Sequence, residues 1–227
     1  MTTVEDLRAL VATRFERLDL PAWVGSRVDG REPAAEEYSR VTDPGRYRVV
    51  HARARLWAEV LAETTGAVVE DLGPLPAEGD LAAVDRAVRV TPRAAGALPM
   101  LLLERDVRAH PDDEVLPVLE VAVVRREMVL DTLPDCGCDA CDSGSADLLE
   151  AVDLTIAPVV AGPYVVLRGP GWSAQWHPDG GRGSGDARMP DFGLLTARAR
   201  DLAAGRRVRL PRRTEAVVGG SWLGTGA

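Results

Sequence analysis

The spacing of apolar residues changes character at Gly66, and that change constrains the fold more than any other feature of the chain. Before it, apolar side chains recur three and four positions apart. One set is Val4, Leu7, Leu10 or Val11, Phe15 and Leu18; the other is Tyr47, Val50, Ala54, Trp57 and Leu61. That period places each set on a single helical face, so helices are expected near residues 3–18 and 44–64, with Phe15 and Trp57 as core anchors. Thr2 with Glu5 makes a capping box for the first. Asp43-Pro44 gives the second an N-cap and a first-turn proline, and Gly66 stops it. Residues 24–43, rich in Gly, Pro, Asp and Glu, read as a long exposed connection. His51 falls beside the second stripe and reads as an ordinary packed or surface histidine.

After Gly66 the apolar residues come in short runs cut by Gly, Pro and Asp: 67–69, 87–90, 99–103, 115–124 and 128–133. Such runs are strands, and Arg125-Arg126-Glu127 is short enough to join two of them as a hairpin. Segment 80–90 suits a helix as well. A third helix is expected at 146–157, capped by Ser143 or Ser145 and broken by Pro158 and Gly162. A hairpin around Gly169-Pro170-Gly171 joins 164–167 to 172–176, where Trp172 and Trp176 share a face as core residues. Residues 178–191 read as a glycine-rich loop, and a last helix covers 194–204 before Gly205. Helices, then strands, then helices indicate an α+β fold: N-terminal helices, an antiparallel or mixed sheet, and further helices packed on it. The expected organisation is one domain over 1–227, with residues 1–66 as a helical subregion.

Composition narrows function mainly by exclusion. All 27 basic residues are arginine, so Schiff-base and Walker-type lysine chemistry is ruled out. A net charge of −8 disfavours nucleic acid and anionic membrane as partners. The arginine-rich stretch from Arg198 to Arg213 reads as a helix C-terminus followed by a solvated tail. Acidic Glu5 and Asp6 stand where a signal peptide would be basic, and no apolar run is long enough to span a bilayer, so a cytoplasmic protein is expected. No Gly-x-Ser-x-Gly elbow occurs, and the glycines of 180–185 lack the order of a phosphate cradle. His110-Pro111-Asp112-Asp113-Glu114 reads as an acidic solvated turn.

One segment is chemically pointed. Cys136-Gly137-Cys138-Asp139-Ala140-Cys141 places three soft ligands between a strand and a helix. In a reducing compartment such a cluster is no disulfide framework. Thiolates bind Zn²⁺, which takes four ligands, or three plus water. Gly137 relieves strain at the tightest point of the turn. The fourth ligand is not local: Asp135, Asp139, Asp142 and His110 are candidates, and His177 is the preferred one. The expected metal set is therefore Cys136, Cys138, Cys141 and His177 around zinc. A plain reduced loop capping the helix is the bland reading. Thiol-redox chemistry at Cys138 and Cys141 is the alternative, since a CxxC before a helix lowers thiol pKa, although the three aspartates oppose it. The function expected is a non-enzymatic binding or interaction protein with a cysteine loop that holds structural zinc. Its partner is an unidentified protein or small molecule.

The run from Leu133-Pro134-Asp135 through the cysteines to Asp142-Ser143-Gly144-Ser145, followed by Leu148-Leu149-Glu150, resembles the signature of an uncharacterised actinobacterial domain family. Gly171-Trp172-Ser173-Ala174 fits it too. The resemblance is firmest over residues 80–178, and that family implies no activity, substrate or catalytic residue.

Overall fold

The computed structural model describes residues 2–26, 32–108 and 114–223. It is α+β, with N-terminal helices, two antiparallel sheets and further helices packed on them. The chain divides into two compact units. The larger holds residues 5–91 and 99–156; the other holds 1–4, 92–98 and 157–227.

In the larger unit, helices α1 (Val4–Phe15) and α2 (Val49–Thr65) precede a five-stranded meander: β1 (Val68–Leu75), β2 (Val84–Thr91), β3 (Met100–Val107), β4 (Leu116–Val123) and β5 (Val129–Leu133). Every neighbouring pair is antiparallel, and the segment that suited either helix or strand is strand β2. Helix α2 buries Val50, Ala54, Trp57 and Leu61, its expected stripe. Trp57 is fully buried, whereas Phe15 is half-buried with the Arg53 guanidinium 5.5 Å from its ring centre. Asp43 does not cap α2. It takes a left-handed φ of 47° and leads into a 3-10 turn, Pro44–Arg48, before the α-helix starts at Val49.

Buried charge ties α2 to its neighbours. Asp153 accepts from Arg53 Nε at 2.9 Å, from its terminal nitrogen at 2.5 Å, and from the Trp57 indole at 2.7 Å. Asp153 lies in α3 (Ser145–Ala161). His51 is also buried; its Nε2 lies 2.9 Å from the Val118 carbonyl, which can only accept, so the proton sits on Nε2. His51 is thus a packed histidine. Arg55 pairs with buried Glu104 beside it.

Helix α3 continues through Pro158, which forgoes one helical hydrogen bond, because Val159 and Val160 are buried and hold the last turn. It stops at Gly162, whose φ is +49°. The smaller unit carries β6 (Tyr164–Gly169), β7 (Trp172–His177), β8 (Gly180–Gly185) and β9 (Glu215–Gly219), in the order β8-β7-β6-β9. Helix α4 (Phe192–Ala203) packs Leu195 and Ala199 against Val165, Leu167, Trp172 and Trp176, so both tryptophans are core residues. Two strands differ from expectation. β8 lies where a glycine-rich loop was expected, and β9 follows the arginine-rich stretch at positions where no element was expected. β8 is a strand through its pairing with β7 rather than through propensity: a Cβ at Gly185 would sit 2.5 Å from that of Trp172. The smaller unit holds eleven arginines against five acidic residues, so the acidity of the chain belongs to the larger unit. No helix among the described residues is long and apolar enough to cross a membrane.

Candidate metal centre

The cysteine loop joins β5 to α3, and its shape comes from the segments that hold it. The amide of Asp139 donates to the Arg40 carbonyl at 2.8 Å, and that of Ala140 to the Glu37 carbonyl at 3.1 Å. Ser26 Oγ donates to the Asp139 carbonyl at 2.6 Å, and the Ser26 amide to the Asp142 carbonyl at 3.1 Å. Residue 23 closes the other end: the Ser145 amide donates to the Trp23 carbonyl and the Trp23 amide to Ser145 Oγ, each at 3.1 Å. Ser145 therefore serves Trp23 rather than capping its own helix. Gly25 and Gly144 let the two backbones meet, since a Cβ on Gly25 would lie 2.3 Å from the Ser143 carbonyl carbon.

Held this way, the loop turns its three sulfurs together. The Sγ atoms of Cys136, Cys138 and Cys141 all lie within 4.8 Å of one another. Cys136 and Cys138 are 3.2 Å apart, far beyond a disulfide bond, and all three are free thiols. Cys138 is buried, while Cys136 and Cys141 are exposed. The Cys141 amide donates to the Cys138 carbonyl at 3.0 Å and closes the turn. Gly137 matters for proximity rather than strain: an added Cβ would meet the Leu116 methyls at 2.7 and 2.8 Å.

The aspartates flanking the thiols are engaged elsewhere. Asp139 accepts from Arg40 Nε at 2.6 Å and from the amide and hydroxyl of Thr42, each at 2.8 Å. Asp142 accepts from the Trp23 indole at 2.9 Å, from Arg46 at 2.7 Å and from the Gly144 amide at 2.9 Å. The Arg46 guanidinium also lies 4.9 Å from the Trp23 ring centre and 5.3 Å from that of Tyr47. Burial pushes the Asp139 carboxyl up, but the bonds from Arg40 and Thr42 outweigh it and hold the group below its ordinary value.

The thiols divide in the same manner. Burial pushes Cys138 up; bonds from Cys136, Cys141 and the amides of Cys141 and Ala140 prevail and lower it. Cys141 is pushed up to about 11 by its bonds to Cys138 and Cys136, with burial adding to the effect. The carboxylates of Asp139 and Asp142 face arginines rather than the Cys138 thiol. Cys138 therefore gives up its proton before Cys141 does.

Among the described residues, the group brought together consists of the three sulfurs. Asp135 is exposed beside them. His177 is placed in β7 of the smaller unit, its ring stacked on Tyr164 with centres 6.2 Å apart. His110 and the acidic turn through Asp113 lie outside the described residues. Beside the thiols lies a cavity of about 120 Å³, bounded by Cys136, Cys141, Leu133, Leu148, Ala151 and Tyr47, with Asp135, Asp142 and Asp147 at its edges. Trp23, Ser26, Arg40, Thr42 and Arg46 are the residues that sequence reasoning missed. A tryptophan immediately before the stretch read as exposed was the available signal.

A family model described as "Family of unknown function (DUF6226)" matches residues 11–225. The chain belongs to this family. The match runs well beyond the segment that carried the sequence resemblance, and it includes both units and the cysteine loop. Neither the curated proteins nor the solved structures compared with the chain contain a match.

Proposed function

We propose that this DUF6226 protein is a zinc-binding protein whose ion is held by Cys136, Cys138 and Cys141. The observation that supports it is the convergence of three unpaired sulfurs within 4.8 Å on a loop tied down at both ends. Ligands at about 2.3 Å from one zinc must approach one another to within about 4 Å, so only a small inward shift is needed. The ion would join three positions of a loop already fastened to residues 23–26 and 37–42, which gives it a structural role as well. In this reading the Pro134–Ser145 segment is the family's metal-binding signature, and the protein is a binding or interaction protein of the reducing cytoplasm. Elemental analysis of untagged protein purified under reducing conditions tests this. One zinc per chain is expected, falling to none in Cys138→Ser.

A second reading rests on the thiols themselves. Cys138 is lowered and Cys141 is raised to about 11. Cys138 would then be the attacking thiolate of a thiol-redox pair with Cys141. Metal-free protein that reduces one equivalent of a mixed disulfide, its own Cys138 and Cys141 ending as a disulfide, and loses this in Cys138→Ser, favours that reading.

A further inference from the structure

Resting on the zinc reading above, we propose that the three-thiolate centre keeps its fourth coordination position open toward the adjoining cavity and takes there a small, uncharged nitrogen donor from solution. Among the described residues three ligands converge, and a tetrahedral ion requires four. Two of the three loop carboxylates are directed away, Asp139 to Arg40 and Thr42 and Asp142 to Trp23, Arg46 and Gly144, while Asp135 borders the cavity without joining the sulfur cluster. The two exposed cysteines, Cys136 and Cys141, are the ones that border the cavity. An ion seated on the sulfurs therefore has protein on the Cys138 side and free space on the other.

The cavity also sets the chemistry of the guest. At about 120 Å³ it is somewhat smaller than the roughly 150 Å³ apolar cavity that admits benzene, so a five-membered ring is near its limit. Leu133, Leu148 and Ala151 give it an apolar wall. Three thiolates leave a zinc centre with one net negative charge, and Asp135 and Asp147 add more at the cavity lining. A carboxylate or an inorganic anion meets repulsion from both; a neutral azole or amine does not. Nitrogen is also a donor that zinc accepts readily beside sulfur.

Cobalt(II) makes the position visible, because its ligand-field bands report the number and type of donors. The full untagged chain, reduced and kept anaerobic, is loaded with one equivalent of Co²⁺ and titrated with imidazole, acetate or azide under mildly alkaline conditions. Imidazole is expected to shift the bands saturably, while acetate and azide leave them in place. Ala151→Leu, at a half-buried helix position, fills the cavity and should abolish the imidazole response with Co²⁺ uptake retained. His177→Ala should change nothing. Failure to take up Co²⁺ overturns the zinc reading itself, and this inference with it. Uptake with bands that no probe moves shows a closed site and overturns the inference alone. So does a change of the bands in His177→Ala before any probe is added, an equal response to the anions, or a response that survives Ala151→Leu.

Discussion

Asp142 is where the cysteine loop is joined to the N-terminal segment, and its removal is the sharpest test of how the site is built. The carboxylate is 7% exposed and receives the Trp23 indole, Arg46 and the Gly144 amide. Asp142→Ala leaves a guanidinium whose side chain is 15% exposed without its counter-charge, and two N–H donors without an acceptor. Breaking a buried pair from one side costs about 3–5 kcal/mol. Arg46 keeps some access to water and Trp23 is only half-buried, so the lower end applies, about 3 kcal/mol. Asp142→Asn retains an acceptor for the indole or the amide and should cost about half as much. Urea unfolding followed by tryptophan fluorescence reads both, as a lower midpoint at unchanged slope. The loop should also loosen, so that a thiol reagent reaches buried Cys138 faster than in the parent. A loss below about 1 kcal/mol, with Cys138 still protected, would show that residues 23–26 do not hold the loop.

Gly25→Ala places a Cβ 2.3 Å from the Ser143 carbonyl carbon, so unfolding midpoints should report a loss of about 1–3 kcal/mol from forced separation of the two backbones. Asp153→Ala should cost more than Asp142→Ala, about 4 kcal/mol by the same unfolding assay, because Arg53 and Asp153 are 7% and 6% exposed and Trp57 is fully buried. Burial pushes the His51 imidazole below its ordinary value, against weaker opposing pulls from the Val118 carbonyl and Glu104. The unfolded chain therefore binds the extra proton once pH falls below about 6.5, and stability present above that value is lost as pH drops through it. His51→Gln should flatten that slope in unfolding midpoints measured on either side.

Helical and strand periods were legible where a single face decides them. The α2 stripe of Val50, Ala54, Trp57 and Leu61 is one case, and the β4–β5 hairpin around Arg125-Arg126-Glu127 is another. The β8 strand was not legible, because Gly180–Gly185 carries no strand propensity and is ordered by β7 alone. Asp43 looked like a helix cap from its neighbour Pro44, yet the chain enters α2 through a 3-10 turn. The sulfur ligands were legible in their spacing. What surrounds them was not: Trp23, Arg40 and Arg46 lie more than ninety positions away from the aspartates they bind, and local pattern holds no record of such pairings.

Zinc K-edge X-ray absorption on untagged, reduced protein reads the metal and its donor atoms together. An edge from one zinc per chain is expected, with three sulfurs at about 2.3 Å and one lighter neighbour at about 2.0–2.1 Å. Protein that carries no zinc after purification and binds none on addition, or a spectrum of nitrogen and oxygen neighbours without sulfur, would contradict the proposed zinc site.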